Sequence, residues 1–160
     1  MDQPPRISSV LEHDHRQIDA GFSRFHDGLA SGEWRFDAFA SASNALRRHI
    51  YLEEAILFPP LRRAGMVAPV RVMVREHGEI WEALDAVGRA IETGGDPAGA
   101  FGLSTMLQTI LEAHNFKEEQ ALYPTADQVL GDDVARQVQR ALAEADVPPG
   151  WRPEALANRG

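Results

Sequence analysis

Apolar residues recur at helical spacing early in the chain. Leu11, Ile18, Phe22, Phe25 and Leu29 form one stripe, and His15 stands inside it at the position between Leu11 and Ile18. The same register returns in Met73, Ile80, Leu84, Val87 and Ile91, with His77 in the matching place. Intervals of three and four residues bring side chains to one face of an α-helix, so each stripe predicts a core-facing helix with an imidazole set into its apolar side.

A second pattern interlocks with the first. The segment HIYLEEAILFP, beginning at His49, is echoed by HNFKEEQALYP, beginning at His114. Residues four apart lie one helical turn above each other, so His49 shares a face with Glu53, and His114 shares one with Glu118. Each motif continues with a second Glu, a Leu, an aromatic residue and a Pro. The chain therefore divides into two helix pairs, about 7–62 and 69–125, each carrying a His and then His-x-x-x-Glu.

Helix-breaking residues set the expected boundaries. A first helix starts just after Ser8 or Ser9, which can serve as N-caps, and ends near Leu29 before Ser31-Gly32. A second runs from Phe36 toward Phe58, where Pro59-Pro60 kinks or stops it. A third spans Pro69 to Glu92 and is closed by Gly94-Gly95; a fourth runs from Pro97 to Leu122. The fold predicted is all-α, an up-down-up-down four-helix bundle. Asp132 to Glu144 predicts a short fifth helix with Val134, Val138 and Leu142 on one side. Residues 1–145 are expected to form a single domain. Residues 146–160, rich in Pro and Gly, predict an irregular tail with Trp151 free to pack back on the bundle.

Composition narrows the chemistry. At 160 residues, 44% hydrophobic and 25% charged, the chain has the make-up of a soluble globular domain. A net charge of −8 sets it apart from the basic domains that bind nucleic acid, so nucleic acid is not an expected partner. With no cysteine, disulfides, thiolate metal sites and Cys nucleophiles are excluded, and any metal must be held by nitrogen and oxygen. The N-terminal residues lack the basic stretch and apolar run of a secretory signal, and no segment is apolar enough to span a bilayer. A cytoplasmic location is expected, away from membranes.

His15, His49, His77 and His114 come from four helices, and Glu53 and Glu118 from two of them. Gathered at one level of a bundle, they would give each of two metals a pair of imidazoles and one oxygen from each of two bridging carboxylates. An oxo or hydroxo bridge would add a fifth ligand and leave an open position. Such ligation suits two non-haem iron ions and tolerates manganese, whereas zinc prefers four-coordinate sites; manganese and zinc stand as alternatives to iron. One His-x-x-x-Glu motif alone would be an ordinary feature of a solvated helix face. Two copies, each preceded by a His in a core stripe, point to metal.

Neighbouring residues are expected to contribute less. Glu54 and Glu119 point about 100° away from the motif Glu on an ideal helix, as exposed, supporting or dipole-complementing carboxylates. His13 falls on the opposite side of its helix from His15, and His26 lies about 16 Å along the axis from it. Trp81, Tyr51 and Tyr123 are expected to pack around the site and limit solvent access.

At EHDH (12–15), HIYLEEAILFP, REHGEI (75–80) and HNFKEEQALYP, the chain resembles the hemerythrin-like family, the bacterial domains known for a recurring His, His and Glu cation-binding motif. The resemblance covers about residues 7 to 125 and implies a four-helix bundle around a non-haem diiron centre. It departs from the oxygen-carrying members at two places. Trp81 stands where they have a further His, and Glu119, with Glu118 one residue earlier, stands where they have an Asp five residues after the last His. The set of four His and two Glu is more similar to the repair-of-iron-centres branch, although the Cys-containing domain found in many of its members is not seen here.

The resemblance thus implies a diiron protein that binds or reacts with O₂, NO or peroxide in redox or nitrosative stress or in iron handling, with a reductase or iron protein as partner. A conventional enzyme is not expected. The alternative is a non-enzymatic iron or oxygen sensor whose surface binds a partner; a third reading is a structural bundle without metal. A ferritin-type site would need Glu-x-x-His twice, and only Glu12 to His15 supplies it.

Overall fold

A computed structural model describes residues 3–157, all of whose regular structure is helical. Helix α1 spans Ile7–Ala30 and α2 spans Phe36–Leu52; a wide turn, Glu53–Leu57, carries the chain into α3, Phe58–Arg63. Helix α4 spans Val67–Thr93. A 3₁₀ turn, Pro97–Ala100, leads into α5, Phe101–Lys117, and a second wide turn, Glu118–Leu122, leads into α6, Tyr123–Val129. Helix α7, Asp132–Glu144, matches the expected fifth helix, whereas the tail expected to be irregular carries a short helix, α8, Glu154–Ala157, whose Leu156 is buried. Residues 158–160 of the expected tail lie outside the described residues.

Helices α1, α2, α4 and α5 form the bundle, with α1 packed on α2 and α5, and α4 packed on α5. Both predicted stripes face inward: Leu11, Ile18, Phe22, Phe25 and Leu29 are buried, as are Met73, Ile80, Leu84 and Val87. The core consists of two apolar layers. One contains Leu11, Leu52, Phe58, Met73 and Leu122, and the other contains Ile18, Leu46, Ile80 and Leu111. His15, His49, His77 and His114 each fall in sequence between members of the two layers. The histidines are therefore held at the middle of the bundle, with hydrophobic packing above and below.

Two sequence expectations need correction. Ser8 and Ser9 do not cap α1, which begins at Ile7 with Arg6 preceding it and no side-chain cap. Ser8 instead donates its N–H to Asp127 Oδ1 at 3.1 Å and its hydroxyl to the same carboxylate, tying α1 to α6. Nor do Pro59 and Pro124 end their helices. Proline lacks an N–H and its ring crowds the carbonyl four residues back. Here Phe58 N–H bonds to Glu53 O and Tyr123 N–H to Glu118 O, five residues back, which opens each helix by one residue before the proline. Such π-type turns often mark functional sites, and both begin at the motif Glu.

The tail lies against α4. Trp151 meets Trp81 and Tyr51 edge-on, with ring centroids 5.7 and 5.1 Å apart, and Leu156 is buried. Gly78 eases the close approach, since a Cβ there would stand 3.0 Å from Ala155 Cβ. Gly78→Val is expected to lift the tail, at a cost of about 1–3 kcal/mol. A red-shifted tryptophan emission and a lower urea midpoint would show it; unchanged values would contradict the contact. Among the described residues no helix is long and apolar enough to cross a membrane.

Candidate metal centre

All six sequence-predicted residues meet in the polar layer and are buried. His15 Nε2 lies 3.1 Å from His49 Nε2. Glu118 Oε1 lies 3.3 Å from His15 Nε2 and 3.1 Å from His114 Nε2. Glu53 Oε1 lies 3.2 Å from His49 Nε2 and 3.3 Å from His77 Nε2. Each carboxylate thus reaches one His of the α1–α2 pair and one of the α4–α5 pair, as a bridging ligand must. Two groups of donors close enough to hold an ion result: His15, His49 and Glu118, and His77, His114, Glu53 and Glu118.

Every imidazole is aimed by a carboxylate on its outer nitrogen. His49 Nδ1 donates to Asp14 at 2.7 Å, and His114 Nδ1 to Glu76 at 3.0 Å. His77 Nδ1 donates to Glu54 at 2.7 Å, and His15 Nδ1 to Glu119 at 3.4 Å. The pattern has two-fold character. The acid preceding the first His of each repeat serves the second His, and the acid following each motif Glu serves the first His of the other repeat. With Nδ1 committed as donor, Nε2 is left to present a lone pair to the centre.

Glu54 is accordingly not an exposed carboxylate. Its side chain is 7% accessible, because the phase of the helix turns it into the seam with α4, and Glu154 N–H bonds to its Oε1 at 2.8 Å. Glu119, partly exposed, fits the supporting role left open for it. The sequence pattern does not assign Asp14 or Glu76 to the centre, and it places Tyr123 beside the site as a packing residue. An acidic residue directly before His15 and before His77 is part of the repeat, and that was the available signal. Tyr123 is wholly buried, and its hydroxyl lies 2.9 Å from Glu53 Oε2 and 3.1 Å from Glu118 Oε1. His13 is exposed against Gln17, and His26 bonds Ser104 Oγ at 2.9 Å; neither joins the cluster. Trp81 sits outside it, with the Arg47 guanidinium 4.3 Å above its ring.

The metal-free electrostatics show what a cation would relieve. Burial opposes the charged form of His114, but Glu118 and Glu76 outweigh it and raise its pKa from 6.5 to about 10. Burial likewise opposes charge on His49 and His77, yet Glu53 with Asp14, and Glu53 with Glu54, raise both. Glu118, despite burial, is held well below the ordinary 4.5 by His114 and His15. Burial, Glu118 and Glu53 keep the Tyr123 phenol well above 10.0. Even so, among the described residues Glu53 Oε1, His77 Nε2 and Glu118 Oε2 have no hydrogen-bond partner. Buried polar atoms without partners are costly, and two of them, Glu53 Oε1 and His77 Nε2, lie 3.3 Å apart inside the cluster. Two facing imidazole pairs and two carboxylates fit a pair of cations.

Two predictions follow from these contacts. Asp14→Asn or Glu76→Gln, each releasing one imidazole, is expected to weaken metal binding by about 10–100-fold, measured by competition with a chelator; unchanged affinity would remove their orienting role. The second concerns pH. A raised His pKa gives stability that is complete below 6.5 and fades as pH rises toward about 10, whereas the lowered Glu118 pKa gives stability present above 4.5 and lost as pH falls. Metal-free protein should therefore melt highest between about pH 5 and 6.5 and progressively lower toward pH 10, and bound metal, replacing the protons, should remove the alkaline decline. Thermal melts across that range with and without metal test this, and a metal-free midpoint that rises toward pH 10 would contradict it.

Comparison with known sequences agrees with this geometry. Residues 6–126 match the profile of the family described as "Hemerythrin HHE cation binding domain". No significant match is found among curated proteins or solved structures. The matched span contains all six clustered His and Glu residues and the four carboxylates that orient the imidazoles, and the chain belongs to the hemerythrin family of HHE cation-binding domains.

Proposed function

We propose that this protein binds two non-haem iron ions and uses them to bind or react with O₂, NO or peroxide, in redox or nitrosative stress response or iron handling. The observation that carries the reading is the convergence of four buried Nε2 atoms and two buried carboxylates, three of whose atoms make no hydrogen bond among the described residues. His15 and His49 would hold one ion and His77 and His114 the other, with Glu53 and Glu118 spanning both. Nitrogen and oxygen donors in this mixture suit iron, with manganese next. An iron pair, when bound, supplies electrons and open coordination positions.

The chain's own contribution is positioning and exclusion. Asp14, Glu54, Glu76 and Glu119 fix the imidazole orientations, and the two apolar layers keep bulk water from the centre. Burial on this scale favours ligands with two heavy atoms over organic substrates. Trp81, packed under Arg47 and Trp151, leaves the centre without a further imidazole, which favours reactive or sensing chemistry over oxygen carriage. Return to the reduced state would draw on a separate reductase or iron protein.

The test is to mix anaerobic, ferrous-loaded protein with O₂, NO and peroxide in turn and follow the optical and electron-paramagnetic spectra. A concentration-dependent reaction with at least one of them is expected. Iron spectra indifferent to all three would overturn the reading.

A further inference from the structure

The two-fold repeat around the centre is broken at one atom. Phe58 follows Glu53 by five residues, and Tyr123 follows Glu118 by five. Each ring lies against the first His of the other repeat: Phe58 stacks on His77 with centroids 5.4 Å apart, and Tyr123 lies 5.5 Å from His15. The two rings are thus structural counterparts, and only one carries an oxygen. That oxygen enters the less complete half of the centre, where His15, His49 and Glu118 make three donors against the four around His77 and His114.

The distances are those of ligands sharing an ion. Two donors about 2.1 Å from one metal and at right angles to each other stand about 3.0 Å apart. Tyr123 Oη lies 3.1 Å from His15 Nε2, 3.3 Å from His49 Nε2, 3.1 Å from Glu118 Oε1 and 2.9 Å from Glu53 Oε2. The His15 to His49 and His15 to Glu118 separations, 3.1 and 3.3 Å, fall in the same band. As a hydrogen-bond donor alone the phenol is poorly matched to this position, because it has one proton and faces two carboxylate oxygens.

We propose that Tyr123 is a seventh metal ligand, its phenolate oxygen bound to the ion held by His15 and His49. The proposal rests on the dinuclear reading above. Binding exchanges the phenol O–H bond for an O–metal bond, the proton leaves to solvent, and no electron is transferred. The centre then becomes unequal. With Glu53 and Glu118 spanning both ions, the His15–His49 ion then has one anionic oxygen more than its neighbour and one free position fewer, so small ligands enter at the His77–His114 ion, on the side lined by Phe58.

The chain has two tyrosines, which makes the test direct. Wild type, Tyr123→Phe and Tyr51→Phe are loaded anaerobically with ferrous iron, freed of excess, and oxidised in air. Iron per chain, the visible spectrum and resonance Raman scattering are then recorded. Wild type and Tyr51→Phe should show a phenolate-to-ferric charge-transfer band with enhanced tyrosine ring modes, and Tyr123→Phe should lose both. Should Tyr123→Phe fail to fold, the band in Tyr51→Phe still assigns the ligand, since Tyr123 is then the one tyrosine left. Wild type that holds two irons without the band, or a band that survives in Tyr123→Phe, overturns Tyr123 ligation and leaves the dinuclear reading standing. Wild type that cannot hold two irons overturns the dinuclear reading itself.

Discussion

Glu53→Gln combined with Glu118→Gln is expected to reduce bound iron from about two per chain to near zero. One oxygen of each carboxylate sits within 3.3 Å of one imidazole from each repeat, so each substitution should weaken both ions at once. Loss of a supporting carboxylate costs about 10–100-fold in metal affinity, and loss of a bridging ligand should cost more than that at each ion. Glutamine keeps the side-chain volume, and the four imidazoles, no longer facing carboxylates, can be buried neutral. The helical circular dichroism should therefore be unchanged while the metal content collapses. A double variant that retains its iron would favour a structural bundle with metal held elsewhere.

Chelation should have the second large effect. An ion that binds only the folded chain adds about 4 kcal/mol at a free concentration 1,000-fold above its dissociation constant. For a chain of this size each kcal/mol moves the melting midpoint by about 2–4 °C, so two ions together should raise it by about 16–32 °C. The size of the shift follows from the location of the centre. It fills the polar layer between the two apolar layers, where unpartnered Glu53 Oε1, His77 Nε2 and Glu118 Oε2 otherwise weaken the middle of the bundle. Calorimetry before and after treatment with a chelator measures the shift. The double Gln variant should show none, and a wild-type midpoint indifferent to metal would mean that the ions bind outside the core.

Much of this architecture is legible in the chain itself, for reasons that individual residues make clear. The stripe through Leu11, His15, Ile18 and Phe22 and its copy through Met73, His77 and Ile80 depend only on helical period, and both proved to be core faces. His49 with Glu53 and His114 with Glu118 are short-range pairs, so their shared direction follows from the helix alone. What escaped sequence reading depends on how helices rotate against each other. Asp14 serves His49 and Glu76 serves His114 across a helix interface, and adjacency to His15 and His77 does not specify that partner. Tyr123 lay in the repeat from the start, but its hydroxyl becomes part of the centre only through the wide turn at Glu118. The same turn explains why proline failed as a stop signal: a five-residue hydrogen bond makes room for the ring, and the helix continues.

The central claim is that the two helix-pair repeats build one dinuclear centre. Anaerobic titration with ferrous iron, followed by metal analysis and Mössbauer spectroscopy of the air-oxidised protein, tests it most directly. The account predicts saturation at about two irons per chain, by the ligand count, and a spectrum in which the two ferric ions are magnetically coupled. Saturation at one iron, or two irons without coupling, would contradict it.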